Sequence, residues 1–244
     1  FRDNRNRDNI VAKRGALFMI NLKHVVQEQG FTVAHIKTDS IKIPGATNEI
    51  IAFVMEYGRR YGYNFEHEAT YARMCLVNDA VYIAKYADGD WCRERYGYSP
   101  KDCVKHGGQW TATGAQFAVP YVFKTLFSKE ELCFEDLCET KAVTSSLYLD
   151  MNEGLPGEEH GYRFGGKVGQ FCPILPGRGG GLLLREKDGK YSAATGSKGY
   201  RWLESEMVRT LGKEQDIDRG YYRKLADDAA DAIRQYGDFE GFTA

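Results

Sequence analysis

Hydrophobic positions change their period several times along the chain, and each change predicts an element. Over residues 10–29, Val11, Phe18, Leu22, Val25 and Val26 recur at helical spacing, and Gly30 stands where a helix stops. Phe31 to Ile36 is β-branched and alternating, Lys37-Thr38-Asp39-Ser40 is polar, and Ile41-Lys42-Ile43 precedes Pro44-Gly45. That order reads as strand, tight turn and strand, with charged residues at the tip of the hairpin. Residues 48–61 return to helical spacing through Ile51, Val54, Met55 and Tyr57, and residues 65–71 and 75–86 alternate as two further strands. Residues 88–109 are polar and rich in glycine and charge, which predicts an exposed loop or long hairpin. A strand resumes at Trp110 and ends at Pro120, and residues 121–127 are helical, with Val122, Phe123 and Leu126 on one side. A last helix covers 217–236, with Leu225, Ala229, Ala232 and Ile233 inward. The expected class is α+β: an antiparallel sheet with packed helices, followed by a mixed C-terminal region.

Composition narrows the function classes. The 244 residues are 43% hydrophobic and 27% charged, which excludes a disordered or collagen-like chain. No apolar run approaches the roughly 20 residues of a membrane helix. The formal net charge of -1 argues against a wholly basic nucleic-acid binder, but it conceals a separation. Residues 127–160 hold nine acidic side chains, among them Glu153, Glu158 and Glu159, against Lys129 and Lys141. Residues 162–202 hold eight basic ones against Glu186 and Asp188. There Arg178, Arg185, Lys187, Lys190, Lys198 and Arg201 interleave with Tyr191, Tyr200 and Trp202, the mixture that pairs with phosphates and stacks on bases; solvated hairpin charge is the other reading.

Several chemistries lack their signature. The six cysteines contain no C-x-x-C pair, so they read as reduced thiols, and Cys92, Cys103 and His106 lack the paired knuckle of a zinc site. The five histidines form no metal-binding array. Gly165-Gly166-Lys167-Val168-Gly169 and Gly177-Arg178-Gly179-Gly180-Gly181 do not supply a phosphate-loop pattern and read as strand-connecting loops. The chain opens on Phe1 with neither an initiator Met nor an apolar leader, which reads as a piece of something longer.

The informative feature is His35-Ile36-Lys37-Thr38-Asp39-Ser40-Ile41-Lys42-Ile43. A carboxylate on a tight turn between apolar strands is held rigidly and pushed outward, as a divalent cation requires. Thr-Asp-Ser is also ordinary turn chemistry. Glu66 and Glu68 alternate on the predicted neighbouring strand; Glu68 is a candidate peripheral metal ligand or a salt-bridge partner. Lys13 and Arg14, at the head of the first helix, are candidate phosphate contacts or a solvated face.

The first helix, Gly30 and the strand–Thr-Asp-Ser–strand unit resemble the palm of a family B DNA polymerase, whose motif C hairpin usually reads D-T-D-S. Leu76 to Lys85 falls at the family's K-K-R-Y strand, with Tyr82 at the tyrosine, and Thr111-Ala112-Thr113-Gly114 through Pro120 resembles the entry to the thumb. Gly196 to Trp202 resembles the far C-terminus of phage-type or prophage-encoded members. The resemblance covers roughly the first half of the chain, with two departures: Lys37 replaces the first aspartate, and Asp79-Ala80-Val81 replaces the basic triplet.

This resemblance implies a C-terminal palm portion with a palm-like sheet over residues 1–120, and thumb plus C-terminal extension over 121–244. It implies DNA-directed DNA polymerase activity by a two-metal mechanism using Mg²⁺ or Mn²⁺. Asp39 would be the catalytic metal ligand, flanked by Lys37, Thr38 and Ser40. Partners would be primer-template DNA, dNTP and the remaining N-terminal part of the polymerase. Location would be the cytoplasm of a bacterial host. Candidate DNA contacts are Lys13, Arg14, Tyr82, Lys85, Arg178, Arg185, Lys190, Lys198, Tyr200 and Arg201. The family's motif A and motif B regions lie upstream of the first helix, so this piece alone is expected to be inactive. The alternative is a non-catalytic DNA-binding protein derived from a polymerase palm.

Overall fold

The computed structural model describes residues 9–152 and 159–244, so Glu153, Glu158 and the polar run of residues 2–8 lie outside the described residues. The fold is α+β with antiparallel sheets, in two compact units, Phe1–Thr111 and Ala112–Ala244. The division falls at 111/112, where 120/121 was expected.

In the first unit, helix α1 (Ile10–Glu28) starts on Asn9, whose side chain accepts from the Ala12 amide at 3.1 Å, and stops at Gly30, φ +85°. It buries Phe18, Met19, Leu22 and Val26. Val11, expected inward, is 77% exposed, because this core begins only two turns further on. Strands β1 (His35–Lys37) and β2 (Ser40–Lys42) form the expected two-stranded hairpin, with Ile36 opposite Ile41 and Lys37 opposite Ser40. Helix α2 (Asn48–Arg60), capped by Thr47, buries Ile50, Val54 and Gly58. The α1 core residues, Ile50 and Val54 form one core against which Ile36 and Ile41 pack, so both helices support the hairpin.

Downstream, three expectations are corrected. The strand expected over 65–71 is absent up to Thr70, and only Tyr71 joins a strand; the Glu68 carbonyl accepts from the Asp102 amide, outside any ladder. The strand expected over 75–86 is instead the end of β3 (Tyr71–Leu76), a turn, and β4 (Tyr82–Tyr86). The Asn78 carboxamide forces that turn by accepting from the Ala80 and Val81 amides at 2.9 and 3.0 Å. Residues 88–109 are not a loop but helices α3 (Gly89–Tyr96) and α4 (Lys101–His106). Asp88 caps α3, Gly97 ends it at φ +81°, and Cys92, Tyr96 and Cys103 are buried together. Strand β5 (Trp110–Thr113) completes the order β3-β4-β5.

The second unit opens with a further correction. Pro120 does not end a strand; β5 stops before Gly114, and Pro120 stands in the first turn of a helix, where its missing N–H costs nothing. Helices α5 (Ala115–Ala118) and α6 (Pro120–Phe123) lead through a π turn (Lys124–Ser128) and a 3-10 turn (Phe134–Leu137) into a five-stranded antiparallel sheet. Its strands are β6 (Glu139–Asp150), β7 (Tyr162–Ile174), β8 (Leu182–Lys187), β9 (Lys190–Ala193) and β10 (Arg201–Glu204), in the order β10-β7-β6-β8-β9. Gly165 and Gly169 therefore lie within β7 rather than in a connecting loop; a Cβ on Gly169 would meet the Phe171 ring at 2.8 Å. One face of the sheet buries Leu147, Leu149, Phe171, Leu183 and Trp202 in a core shared with Val208 of α7 (Ser205–Thr210) and with Tyr221 and Tyr222 of α8 (Arg219–Arg234). Asp218 caps α8 through the Gly220 and Tyr221 amides, and α9 (Phe239–Thr243) follows. Among the described residues no helix is long and apolar enough to cross a membrane.

Candidate functional site

The hairpin of the first unit places Thr38 and Asp39 alone in its two-residue turn, both exposed, while Ser40 is half-buried. At its base His35 is buried and bonds through Nε2 to the Asp79 carbonyl, 3.2 Å away, which ties the hairpin to the β3–β4 turn. Asp39, Ser40 and Lys42 line a groove of about 900 Å³, whose floor includes Phe18, Met19 and Val54. Glu66, Glu68, Arg73 and Arg95 line the same groove.

Its charges are largely engaged. Lys101 Nζ lies 3.0 Å from Glu66 Oε2 and 3.3 Å from Glu68 Oε1, so both carboxylates grip one ammonium, and those bonds raise the lysine pKa. All three side chains are exposed, so water and salt screen these pairs and they add little to stability. Burial holds the Lys42 ammonium below its ordinary pKa, the Lys37 charge lowers it further, and Glu68 opposes both. Lys42 Nζ also lies 5.8 Å from the Tyr82 ring centroid. The Arg95 guanidinium stands 5.5 and 5.6 Å from the Trp91 and Tyr96 rings and donates to the Ala46 carbonyl at 3.3 Å.

A hard divalent cation needs about six oxygen ligands, with several from carboxylates. Among the described residues, no group of three or more His, Cys, Asp or Glu side chains converges. Asp39 brings one carboxylate, and Glu68, in the same groove, is held by Lys101. This donor set does not fit a two-metal centre on its own. Comparison with family models, with curated proteins and with solved structures finds no match. The functional reading therefore rests on the site itself.

The remaining candidates divide by unit. In the first, Lys13 and Arg14 are exposed on α1, and Lys85 Nζ lies 5.5 Å from the Trp110 ring centroid. In the second, Arg185, Lys190 and Lys198 are exposed, and Arg178 lies 3.9 Å from Asp216. Three members of the basic-aromatic mixture have structural roles instead. Trp202 is fully buried and donates to the Ser197 carbonyl at 3.1 Å. Tyr200 packs on Tyr221 at 4.7 Å, and Arg201 donates to the Met151 and Gly180 carbonyls at 3.1 and 2.8 Å. Tertiary packing of β10 and the residue before it engages these three side chains, which composition alone does not show. Sequence reasoning also missed Lys101 as the partner of Glu66 and Glu68, because 33 residues separate it from Glu68 and no local motif joins them.

Proposed function

We propose that this chain is the C-terminal part of a DNA-directed DNA polymerase, contributing the Asp39 hairpin to a catalytic centre completed by the remaining N-terminal part of the parent. The observation that carries the reading is the position of Asp39: alone with Thr38 in a two-residue turn, outward, at the mouth of a groove, on a hairpin braced by two helices. A rigid hairpin suits a reaction that depends on fixed charge placement. Primer-template DNA is the proposed macromolecular partner and dNTP the small one. Lys85 and Tyr82 on β4, and Lys13 and Arg14 on α1, are the proposed contacts in this unit. No transfer step is assigned to the chain alone, because its donor set is incomplete.

A second reading, a non-catalytic DNA-binding protein derived from a palm, is favoured by Lys37 in the place of the first aspartate and by the engagement of Glu68 with Lys101. The test is Asp39→Ala in the full parent. Primer extension should fall by at least ~10²-fold, the cost of removing one preorganised charge, while primer-template binding stays within about twofold. Retained extension refutes the polymerase reading, and a parent that binds DNA but never extends it supports the second.

A further inference from the structure

Two thiols that take no part in the groove meet inside the second unit. Cys138 follows the 3-10 turn directly, and Cys172 lies on β7. The β6–β7 ladder pairs Glu139 with Phe171, so its register carried one residue further sets Cys138 opposite Cys172. Residues opposed in an antiparallel ladder stand about 4.5–5.5 Å apart at Cα, inside the span that a disulfide bridges. The two sulfurs are 3.4 Å apart, buried in the core that the sheet shares with α7 and α8, and not bonded to each other.

Their surroundings give the two sulfurs different tasks. The Cys138 thiol donates to the Phe134 carbonyl at 3.3 Å, so the proton between the sulfurs belongs to Cys172. That donation favours the Cys138 thiolate and lowers its pKa against the opposing effect of burial, while the same contact and burial push Cys172 up. Cys172 is fully buried, whereas Cys138 keeps 7% of its surface. The exposed Arg209–Glu135 ion pair also acts on Cys138, and its guanidinium favours the thiolate. Cys138 is thus the sulfur that meets an oxidant first, and Cys172 waits behind it to resolve the product.

We propose that Cys138 and Cys172 are a redox-sensitive staple, joined by a hydroperoxide and reopened by a dithiol. The Cys138 sulfur attacks one oxygen of hydrogen peroxide, the O–O bond breaks, and the departing hydroxide takes the thiol proton and leaves as water. Cys138 then carries a sulfenic acid. The Cys172 sulfur attacks the Cys138 sulfur, the S–O bond breaks as the S–S bond forms, and the hydroxyl leaves as a second water with the Cys172 proton. Both thiols lose one electron each, and one peroxide is reduced to two waters. The link ties the end of the 3-10 turn to β7 across 34 positions of sequence, so it fixes the entry to the five-stranded sheet. It rests on no part of the polymerase reading, so either can fail without the other.

The test treats the folded 244-residue chain carrying Cys133→Ser, which removes its exposed thiol, with hydrogen peroxide. The remaining thiols are then alkylated and the peptides mapped by mass spectrometry without reduction. A single link should join the Cys138 and Cys172 peptides, two hydrogens lighter than their sum, and dithiothreitol should reopen it. The same treatment in urea should scatter links over several pairs, because only the fold sets these two sulfurs together. The oxidised chain should melt about 4–16 °C above the reduced one, the range for one native disulfide. Cys138→Ser and Cys172→Ser should each abolish the link and the rise. Circular dichroism checks their folding, and Cys138→Ser, at the less buried position, keeps the comparison available if Cys172→Ser unfolds. No link in the folded chain overturns the proposal. So does oxidation that stops at a sulfinic acid on Cys138, a link through other cysteines in place of this one, or a melting temperature that oxidation leaves unchanged.

Discussion

Asp150 is the position where one atom's change has the most readable consequence. It ends β6, is fully buried, and accepts three hydrogen bonds: from the Gly161 amide at 3.0 Å, the Asn152 amide at 3.2 Å and His160 Nδ1 at 2.5 Å. The carboxylate thus fixes residues on both sides of the β6–β7 connection. Burial pushes its pKa up, but the Gly161 amide, His160 and the Asn152 amide together outweigh that and hold it below the ordinary value of 3.8. Asp150→Asn keeps the shape, retains one acceptor oxygen, and turns an amide N–H₂ toward groups that are themselves donors. Hydrogen bonds to a charged group contribute about 1.5–3 kcal/mol each. His160 is partly solvated and can recover water, so the net loss is about 2–3 kcal/mol. At roughly 2–4 °C per kcal/mol for a chain of this length, the melting temperature should fall by about 4–12 °C. The pH dependence follows from the sign of the shift. A carboxyl whose folded pKa is depressed contributes its full stability above the unfolded value and loses it as pH falls through the folded value. Urea unfolding of both proteins between neutral pH and pH ~3 should therefore show a gap at neutral pH that narrows as pH falls below about 4. A gap that is constant with pH, or no gap at all, refutes the assignment of this stability to the charge on Asp150.

Two glycines in helices should respond oppositely to the same substitution. Nothing lies within 4 Å of a Cβ on Gly15 of α1, so Gly15→Ala should gain about 0.5–1 kcal/mol in thermal denaturation. On Gly58 of α2 a Cβ would stand 2.7 Å from the Phe65 ring and 3.2 Å from the Tyr63 carbonyl, so Gly58→Ala should lose about 1–2 kcal/mol net of its gain in helix propensity. In the core of the five-stranded sheet Leu149 is fully buried, and Leu149→Ala should cost about 2–5 kcal/mol by urea denaturation; a cost below 1 kcal/mol would mean that the layer collapses to fill the space.

Legibility in the sequence followed the number of independent local signals per element. Helices α1, α2 and α8 are legible to within two residues from apolar periodicity, joined at the end of α1 by Gly30, while the structure adds Thr47 and Asp218 as the caps of α2 and α8. The motif hairpin was readable because polar turn residues separated two short apolar runs. Helices α3 and α4 were hidden by their brevity. They bury only Cys92, Tyr96 and Cys103, too few positions to establish a period, although Asp88 and Gly97 marked the ends of α3. The Asn78 turn and the Asp188-Gly189 turn, with φ of +54° and +75° at its two residues, carried ordinary turn chemistry inside stretches dominated by apolar alternation or by charge. The exposed position of Asp39 was legible, but the pairing of Glu66 and Glu68 with Lys101 was not, because tertiary contact alone brings them together.

The groove beside Asp39 also shows how its charges bias what it can accept. Lys101 holds Glu66 and Glu68, so negative potential there is partly neutralised before any cation arrives, and Asp39 is the acid in the hairpin turn. Lys42 is in the opposite condition: burial and Lys37 both disfavour its ammonium. An anion entering beside Lys42 would reverse that bias by supplying the opposite charge, so anion binding and protonation of Lys42 favour each other. A bare cation in the same place would deepen it. The groove walls are thus better matched to a phosphate than to an unaccompanied metal ion. In the polymerase reading, metal would bind here most favourably together with a phosphate-bearing substrate and with carboxylates supplied by the rest of the parent, because each offsets a charge that this chain leaves unbalanced.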